Sequence, residues 1–308
     1  MQSRNLEDKE QLNNERKKWV LSLVETQKNI EETFQELVIS GDAKTTDRPS
    51  IVMVGGQAGS GKSLLCSYYL KKLNGGAIMI DQDYLRLKHP NYTEIHDMYT
   101  EREEFLILKR YLDSLINGIV NKASDLKYNI ILESALRSID KFATLIQDIA
   151  TKGLRTELAV LAIDPEEANL SMFIRYCEYL ETRGECRRNT RIDSDSVKKI
   201  PVNIQTLNNL QRKDGTSLMD DIKIFTRGNA SSDFLPIERY SRKIEPNMLP
   251  SEAYRKFSTE KTITTEEKRE KVNWIRNTLT KFGEERVLSN FDKWENSTRT
   301  SEGQAYDE

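Results

Sequence analysis

A glycine-rich octapeptide constrains this chain more than any other feature. Residues 56–63 read Gly-Gln-Ala-Gly-Ser-Gly-Lys-Ser and match the pattern G-x-x-x-x-G-K-[ST] in full. The apolar run 51–54 precedes the motif, and helical spacing resumes over 62–73. Glycines let the backbone curl until its N–H groups face a phosphate, and the following helix adds the positive end of its dipole. The octapeptide therefore predicts a nucleotide phosphate loop between a buried strand and a helix.

The loop supplies the candidate residues for the nucleotide, and ATP with Mg²⁺ is the expected pair of cofactors. We expect Lys62 to reach the β- and γ-phosphates and the hydroxyl of Ser63 to ligate Mg²⁺. The guanine-specifying sequence N-K-x-D does not occur, which argues against a GTPase. The candidate nucleotide-binding residues are Gly56, Gln57, Ala58, Gly59, Ser60, Gly61, Lys62, Ser63 and Leu64.

Short apolar runs alternate with helical stretches through the middle of the chain. Such an alternation predicts a doubly wound parallel sheet of the P-loop kinase type, with crossover helices on both faces. We place this α/β core at 49–240, with a lid at about 165–200. The predicted strands are 51–54, 77–80, 129–132, 158–163 and 222–225.

Helical extensions are predicted at both ends of this core. Residues 6–39 carry a helical apolar stripe, so we expect the segment 1–48 to be helical and to pack on the core. The segment 241–308 is predicted as a C-terminal helical extension. Thr264 and Glu267 there have the spacing of a capping box, and Gly283 is a plausible helix stop.

Charge and cysteine content exclude several classes of protein. The chain has 308 residues with 47 basic and 49 acidic side chains, a net charge of −2, so no overall field favours nucleic acid. Three cysteines without a C-x-x-C pair argue against a disulfide scaffold, and no apolar run approaches the roughly 20 residues of a membrane span. The N-terminus is too polar for a secretory signal. We expect a cytoplasmic protein that binds neither membrane nor nucleic acid.

Carboxylates follow two of the predicted strands. Asp81 and Asp83 come after the second strand, and strand alternation would point both to one face. One of them is a candidate general base for an acceptor hydroxyl, although Asp81 alternatively caps the strand end. The nearby His89-Pro90 pair is interpreted as a structural turn with a satisfied imidazole.

The third strand ends in Glu133-Ser-Ala-Leu-Arg137. A carboxylate at the carboxyl end of a central parallel strand lies in the crevice where α/β sheets bind ligands, so Glu133 is a candidate for binding substrate hydroxyls. The alternative is an ion pair between Glu133 and Arg137 at the edge of the sheet. The candidate substrate-binding residues are Asp83, Arg86, Glu133, Ser134 and Arg137.

Arginines cluster after the fourth predicted strand. They are Arg175, Arg183, Arg187, Arg188 and Arg191. Arginine forks match phosphate oxygens, so the cluster favours a lid that closes over the transferring phosphate. A solvated helix face and a nucleic-acid patch are the alternatives.

These motifs together resemble the zeta-toxin family of P-loop kinases, with matching order and spacing from about residue 6 to 230. The segments that carry the resemblance are the phosphate loop, Ile80-Asp-Gln-Asp83 through His89-Pro90-Asn-Tyr92, Glu133 with Arg137, Arg175-Tyr-x-Glu178, Arg188-x-Thr190 and Pro201-x-Asn203-x-x-Thr206-Leu. The resemblance implies ATP-dependent phosphorylation of the 3′-hydroxyl of UDP-N-acetylglucosamine, which blocks peptidoglycan precursor synthesis. It also implies a small helical antitoxin as partner.

The resemblance further implies individual roles. Asp83 matches the catalytic base, Lys62 the phosphate-binding lysine, and Arg175 and Arg188 the lid arginines that neutralise the transferring phosphate. Leu136 departs from the family pattern because it adds bulk where glycine is usual. The altered segment leaves open a kinase with another acceptor, such as a nucleoside, a dinucleotide or an antibiotic, and a non-catalytic NTP-binding module is a third possibility.

Overall fold

The computed structural model describes residues 9–73, 76–136, 139–186, 190, 194–228 and 235–304. Strands within these ranges form one mixed sheet. The strands are β1 (Ser50–Gly55), β2 (Ile78–Ile80), β3 (Ile130–Ser134), β4 (Arg155–Leu161), β5 (Asp221–Arg227) and β6 (Pro236–Ser241).

The sheet has the strand order β2-β3-β1-β4-β5-β6. The first five strands are parallel, so their carboxyl ends share one edge, and β6 runs antiparallel beside β5. All five predicted strands are present. The sixth was missed because β6 is an edge strand whose middle residues face solvent, which leaves no apolar run to find in the sequence.

Twelve helices occur in the described ranges. They are α1 (Lys9–Lys18), α2 (Leu23–Ser40), α3 (Lys62–Lys72), α4 (Gln82–Arg86), α5 (Tyr92–Met98), α6 (Glu101–Asp125), α7 (Asp140–Thr151), α8 (Pro165–Arg183), α9 (Ser194–Asn209), α10 (Pro250–Phe257), α11 (Thr265–Lys281) and α12 (Glu285–Gln304). None of the described helices has both the length and the apolarity that a bilayer crossing needs.

The two faces of the sheet bury different cores. Strand residues alternate between the faces, so Val52 and Val54 pack with α3 while Ile51 and Met53 face the opposite layer. That opposite core is the larger one and includes residues of α2, α6, α7, α9 and α10. Helices therefore cover both faces, as the doubly wound prediction requires.

The N-terminal segment is two helices where the sequence suggested one stretch over 6–39. Ser22 caps α2: its hydroxyl accepts from the backbone N–H of Glu25, whose carboxylate accepts in return. This reciprocal capping box restarts the helix after a break. Phe34 and Leu37 of α2 are buried in the larger core.

The C-terminal segment forms a third core with α8. Thr264 and Glu267 make the predicted capping box at the start of α11. Apolar side chains of α11 and α12 pack on α8, and large, fully or nearly fully buried members of this core are Phe173 of α8 and Phe291 and Trp294 of α12. The helix that carries Arg175 is therefore held between the sheet layer and the C-terminal helices.

Candidate active site

The phosphate loop connects the end of β1 to α3. Gly61, the residue before α3, has a φ of 97°, and Gly59 has a φ of 73°, a region that favours glycine. A Cβ on Gly59 would also lie 2.0 Å from the carbonyl oxygen of Ala168 in α8. The loop is therefore shaped by glycine at two points, and its packing against α8 fixes its position. The hydroxyl of Ser60 is buried with no partner among the described residues, which fits a loop built to receive a polar ligand.

Lys62 lies in the first turn of α3 with its side chain folded back over the loop. Its Nζ donates to the carbonyl oxygen of Gln57 at 3.0 Å and lies 3.9 Å from Oε1 of Glu133. Burial lowers the pKa of Lys62, and the carboxylate of Glu133 opposes this shift. The ammonium group therefore lies between the phosphate loop and the end of β3.

Glu133 belongs to the strand next to the one that feeds the loop. In the parallel register it stands beside Val54, the penultimate residue of β1. Burial raises the pKa of Glu133, and the positive charge of Lys62 counters the rise. The sheet thus places this carboxylate against the phosphate-loop lysine, as a ligand-binding crevice requires.

Ser134 follows Glu133 and is buried. Its hydroxyl accepts from the backbone N–H of Leu136 at 3.0 Å, so it shapes the turn after β3. Its contact with substrate stays a prediction. Arg137 lies outside the described residues, and so does the predicted ion pair with Glu133.

The segment after β2 differs from the strand-based prediction. The strand ends at Ile80, and Asp81 caps the short helix α4 by accepting from the backbone N–H of Asp83 at 2.8 Å. The expectation that strand alternation orients both carboxylates is therefore wrong, because Asp83 lies in the first turn of a helix. Burial raises the pKa of Asp81. Asp81 has the capping role, which leaves Asp83 as the exposed carboxylate.

Asp83 is exposed and contacts Arg86 one turn along α4. The distance from Nη2 of Arg86 to Oδ1 of Asp83 is 2.5 Å, and the Asp83 side chain is 80% exposed. Arg86 also reaches Glu104 of α6, which is almost fully buried. Arg86 was predicted to bind substrate, and that contact stays a prediction. Glu104 was not predicted, because in the sequence it is one more acidic residue in the first turn of a helix.

Arg175 comes from the middle of α8 and is exposed. Its positive charge adds to the lowering of the Lys62 pKa that burial causes, and it counters the rise that burial causes in the pKa of Glu133. The helix therefore brings one of the predicted lid arginines to the phosphate loop. Of the other predicted lid arginines, Arg183 stacks on the ring of Tyr179, and the rest lie outside the described residues: Arg187, Arg188 and Arg191.

Arg227 is a site residue that the sequence analysis missed. It ends β5, where its Nε donates to the carbonyl oxygen of Ser60 at 3.1 Å and its Nη1 donates to the hydroxyl of Ser171 in α8 at 2.8 Å. Its Nη2 donates to the carbonyl oxygen of Gly59. The guanidinium therefore joins the phosphate loop to α8. The sequence could have indicated Arg227 as a candidate, because it follows a predicted parallel strand, and ligands bind at the carboxyl ends of such strands.

Leu136 occupies an unusual backbone conformation. Its φ is 51°, a left-handed value that is uncommon for residues other than glycine, yet its side chain is fully buried against Gly55. Asn203 of α9 donates to its carbonyl oxygen. The bulk expected in the acceptor pocket thus points into the core, and the backbone keeps a conformation that suits glycine.

His89 has the structural role that was predicted for it. It is buried, its Nε2 lies 3.1 Å from the carbonyl oxygen of Trp19, and its Nδ1 accepts from the backbone N–H of Asn91 at 3.2 Å. Burial lowers its pKa. The imidazole therefore ties the N-terminal helices to the segment that carries Asp83.

A cavity of about 420 Å³ lies on the other side of the phosphate loop, at the carboxyl ends of β4 and β5. Thr226, which lines it, has a buried hydroxyl with no partner among the described residues. The remaining lining residues are Ala162, Ile163, Arg227, Ile237, Arg239, Glu260, Lys261 and Thr262.

The residues near Ser63 fit a magnesium ion that is shared with phosphate groups. Ser63 is exposed in the first turn of α3, and Asp81 and Glu133 supply carboxylates at the same edge of the sheet. No group of three or more His, Cys, Asp or Glu side chains in the described part of the chain is arranged to hold a metal by itself. This is the usual situation for Mg²⁺ bound with a nucleotide, where phosphates and water supply most ligands.

A mostly parallel sheet of this order, with a complete phosphate loop after β1 and helices on both faces, defines a P-loop kinase-like α/β protein. The family model described as Zeta toxin matches residues 37–235, and the chain belongs to this family.

Curated relatives and a solved structure agree with this assignment. Toxin PezT of Streptococcus pneumoniae is 29% identical over 185 residues, which cover 60% of this chain and 71% of that protein. Toxin zeta of Enterococcus hirae is 28% identical over 228 residues, which cover 72% of this chain and 73% of that protein. A structure from the PezAT chromosomal toxin–antitoxin system of S. pneumoniae has a TM-score of 0.67 at 22% identity, covering 86% of this chain and 98% of that one. The last comparison shows the shared fold.

Proposed function

We propose that this protein is an ATP-dependent kinase that phosphorylates the 3′-hydroxyl of UDP-N-acetylglucosamine. The observation that carries the proposal is the contact between Lys62 of the phosphate loop and Glu133, with Nζ 3.9 Å from Oε1. It joins a phosphate-binding group to a carboxylate suited to substrate hydroxyls. Asp83 follows β2, the neighbour of β3, so its carboxylate lies at the same edge of the sheet.

The two substrates would approach from opposite sides of the loop. The groups for the acceptor follow β2 and β3, whereas the cavity lies at the ends of β4 and β5. We assign the nucleoside of ATP to the cavity side, where the buried hydroxyl of Thr226 offers an unused hydrogen bond. The γ-phosphate would then lie over the end of β1, between donor and acceptor.

The residues divide the reaction into charge neutralisation and proton transfer. Asp83 accepts the proton of the 3′-hydroxyl while the hydroxyl oxygen forms a bond to the γ-phosphorus and the bond to the β–γ bridging oxygen breaks, releasing ADP. Lys62 and Arg175 offset the negative charge of the transferring group. Bound Mg²⁺, held through Ser63 and the phosphates, would supply further charge neutralisation.

The biological role that we propose is that of a toxin. The relatives PezT and zeta are named toxins, and the PezAT system pairs a toxin with an antitoxin. Phosphorylated UDP-N-acetylglucosamine would block cell-wall precursor synthesis in the cytoplasm. A small helical antitoxin would restrain the enzyme.

The direct test is mass spectrometry of the products formed from ATP, Mg²⁺ and UDP-N-acetylglucosamine. We expect the sugar nucleotide to gain one phosphate, and Asp83→Asn to lower the rate at least about 10²-fold, the usual contribution of a general base. Lys62→Ala removes the phosphate-binding ammonium and should abolish transfer. The matched control is Asp47→Asn, an exposed aspartate before β1 at the opposite edge of the sheet, which should retain wild-type activity.

The same experiment separates the alternatives. A panel of nucleosides, dinucleotides and antibiotic alcohols is included, because the segment around Leu136 departs from the family pattern. Phosphorylation of a panel member alone would replace the acceptor and retain the kinase. Tight ATP binding without transfer to any acceptor would favour a non-catalytic nucleotide-binding module.

A further inference from the structure

A buried carboxylate lies behind the exposed one that the proposed reaction uses. Glu104, in the first turn of α6, is 1% exposed and receives a hydrogen bond on each carboxylate oxygen. Nη1 of Arg86 lies 3.3 Å from Oε1, and Nδ1 of His96 lies 2.7 Å from Oε2. A carboxylate accepts and does not donate, so Nδ1 of His96 carries the hydrogen.

Arg86 connects this buried group to the surface. It contacts Glu104 through Nη1 and Asp83 through Nη2, and its own side chain is only 19% exposed. Burial alone would lower the pKa of Arg86, but the carboxylates of Asp83 and Glu104 more than offset this and raise it. The planar guanidinium therefore holds two carboxylates in a fixed relative position.

His96 contacts Glu104 on the side away from Arg86 and is itself packed against a ring. The ring of Tyr92 stacks on it with centroids 5.6 Å apart and planes inclined by 25°. Burial, and next the negative charge of Glu104, raise the pKa of the Tyr92 hydroxyl. Helix α5, which carries both rings, thus fixes the far side of Glu104, and α6 fixes its backbone.

Burying Glu104 costs free energy of hydration, which suggests that its contacts with Arg86 and His96 have a function. A buried carboxylate loses much of its hydration, and an ion pair near a surface recovers little of that loss. Asp83 lies in a five-residue helix, and a helix this short is only marginally stable without tertiary contacts. A general base must nevertheless lie within hydrogen-bond reach of the proton that it accepts.

We propose that Glu104 and His96 are positioning residues that fix Arg86, and through it the carboxylate of Asp83, for the transfer reaction. The proposal rests on the proposed function, in which Asp83 is the base. It assigns Arg86 to orientation of the base, in addition to any contact with substrate. Neither Glu104 nor His96 touches the reacting atoms.

The test uses the full chain carrying Glu104→Gln, which keeps the size of the side chain and removes its charge. We expect kcat to fall at least about tenfold, because misplacing a reacting group by about 1 Å can cost about 10²-fold, while KM for ATP stays within about twofold. The ¹⁵N signals of the Arg86 guanidinium, assigned with Arg86→Lys, should lose their restricted rotation. A purely structural role would lower the melting temperature without this split between kcat and KM.

A matched control and a second variant keep the test decisive. Glu157→Gln neutralises another buried carboxylate, which pairs with Lys223 at 3.5 Å on β4 and β5, away from Asp83, and should leave kcat unchanged. His96→Ala keeps Glu104 and should lower kcat less than Glu104→Gln does, and it replaces the main variant if Glu104→Gln does not fold.

The outcomes separate the proposal from the function on which it rests. Wild-type kcat in Glu104→Gln and in His96→Ala would overturn the positioning role. If the wild-type protein phosphorylates no acceptor, the proposed function fails. The ¹⁵N signals of Arg86 then test by themselves whether Glu104 fixes the guanidinium. Restricted rotation of Arg86 that persists without the Glu104 charge would overturn the inference in that case too.

Discussion

Arg227 donates a hydrogen bond to the carbonyl oxygen of Gly59, although the two residues are 168 positions apart in the chain. The contact is made from the last residue of β5 to the middle of the phosphate loop. A phosphate loop offers its N–H groups to the ligand, so its carbonyl groups must point elsewhere and find donors. Arg227 is such a donor, because it binds the carbonyl oxygens of Gly59 and Ser60.

Replacing Arg227 by methionine should weaken nucleotide binding. The substitution leaves two loop carbonyl groups without their donor, and a buried unsatisfied group costs about 1–3 kcal/mol. We therefore expect the Kd for ATP, measured by titration calorimetry, to rise about tenfold or more. Arg155→Met is the control, because Arg155 pairs with Glu157 at the start of β4, at the edge of the sheet opposite the phosphate loop. Equal losses in both variants would contradict a specific role for the Arg227 contacts.

His89 should make the stability of the protein depend on pH. Its pKa lies below the ordinary value of 6.5 because burial disfavours the charged imidazole. The unfolded chain therefore takes up a proton more readily than the folded protein does, and stability falls as pH decreases below about 6.5 towards the folded pKa. Urea unfolding at several pH values should show this loss in the wild-type protein and a smaller one in His89→Gln. An unchanged slope in the variant would contradict the assignment.

Leu136 offers a comparison in which glycine should be better than alanine. Truncating a buried leucine costs about 2–5 kcal/mol, which exceeds the roughly 1–2 kcal/mol of strain at a left-handed residue. Both Leu136→Ala and Leu136→Gly should therefore be less stable than wild type. Only glycine relieves the positive φ, so Leu136→Gly should be the more stable of the two by about 1 kcal/mol. Chemical denaturation measures the order, and the opposite order would mean that the backbone relaxes after truncation.

Trp294 tests the packing of the C-terminal helices on α8. It is 4% exposed and packs with Phe173 and Phe291, but its indole N–H has no partner among the described residues. Trp294→Ala should cost about 3–5 kcal/mol of unfolding free energy. Trp294→Phe removes the unsatisfied N–H and keeps an aromatic ring, so its cost should be under about 1.5 kcal/mol. Similar losses of unfolding free energy in Trp294→Ala and Trp294→Phe would contradict this expectation and show that the contact needs the full indole shape.

The phosphate loop and the five parallel strands could be predicted from the sequence because each is a contiguous pattern. The loop needs eight residues in a row, and each buried strand is a short apolar run. The same reasoning failed at β6, whose exposed middle carries no such run. It also misjudged the geometry at Asp83, since periodicity cannot show where a strand ends and a helix begins.

The supporting residues of the site were hidden for a different reason. Glu104 meets Arg86 across 18 positions and Arg227 meets Gly59 across 168, so no local spacing connects either pair. Each is an ordinary charged residue in an ordinary element until the fold brings it to its partner. The candidate residues for ligand contact can be predicted from motifs, whereas the side chains packed behind them depend on tertiary packing.

The family match ends inside the packed structure, because helices beyond its last residue pack on α8. The match ends at residue 235, but Glu167, near the start of α8, accepts hydrogen bonds from the backbone N–H groups of Thr262 and Ile263. Expression of the matched segment alone would strip α8 of its third core and expose a continuous apolar stripe to water. Such a fragment should aggregate, and the loss would fall first on the helix that carries Arg175. We therefore expect the segment after residue 235, which lies outside the family match, to be required for the matched segment to stay in solution.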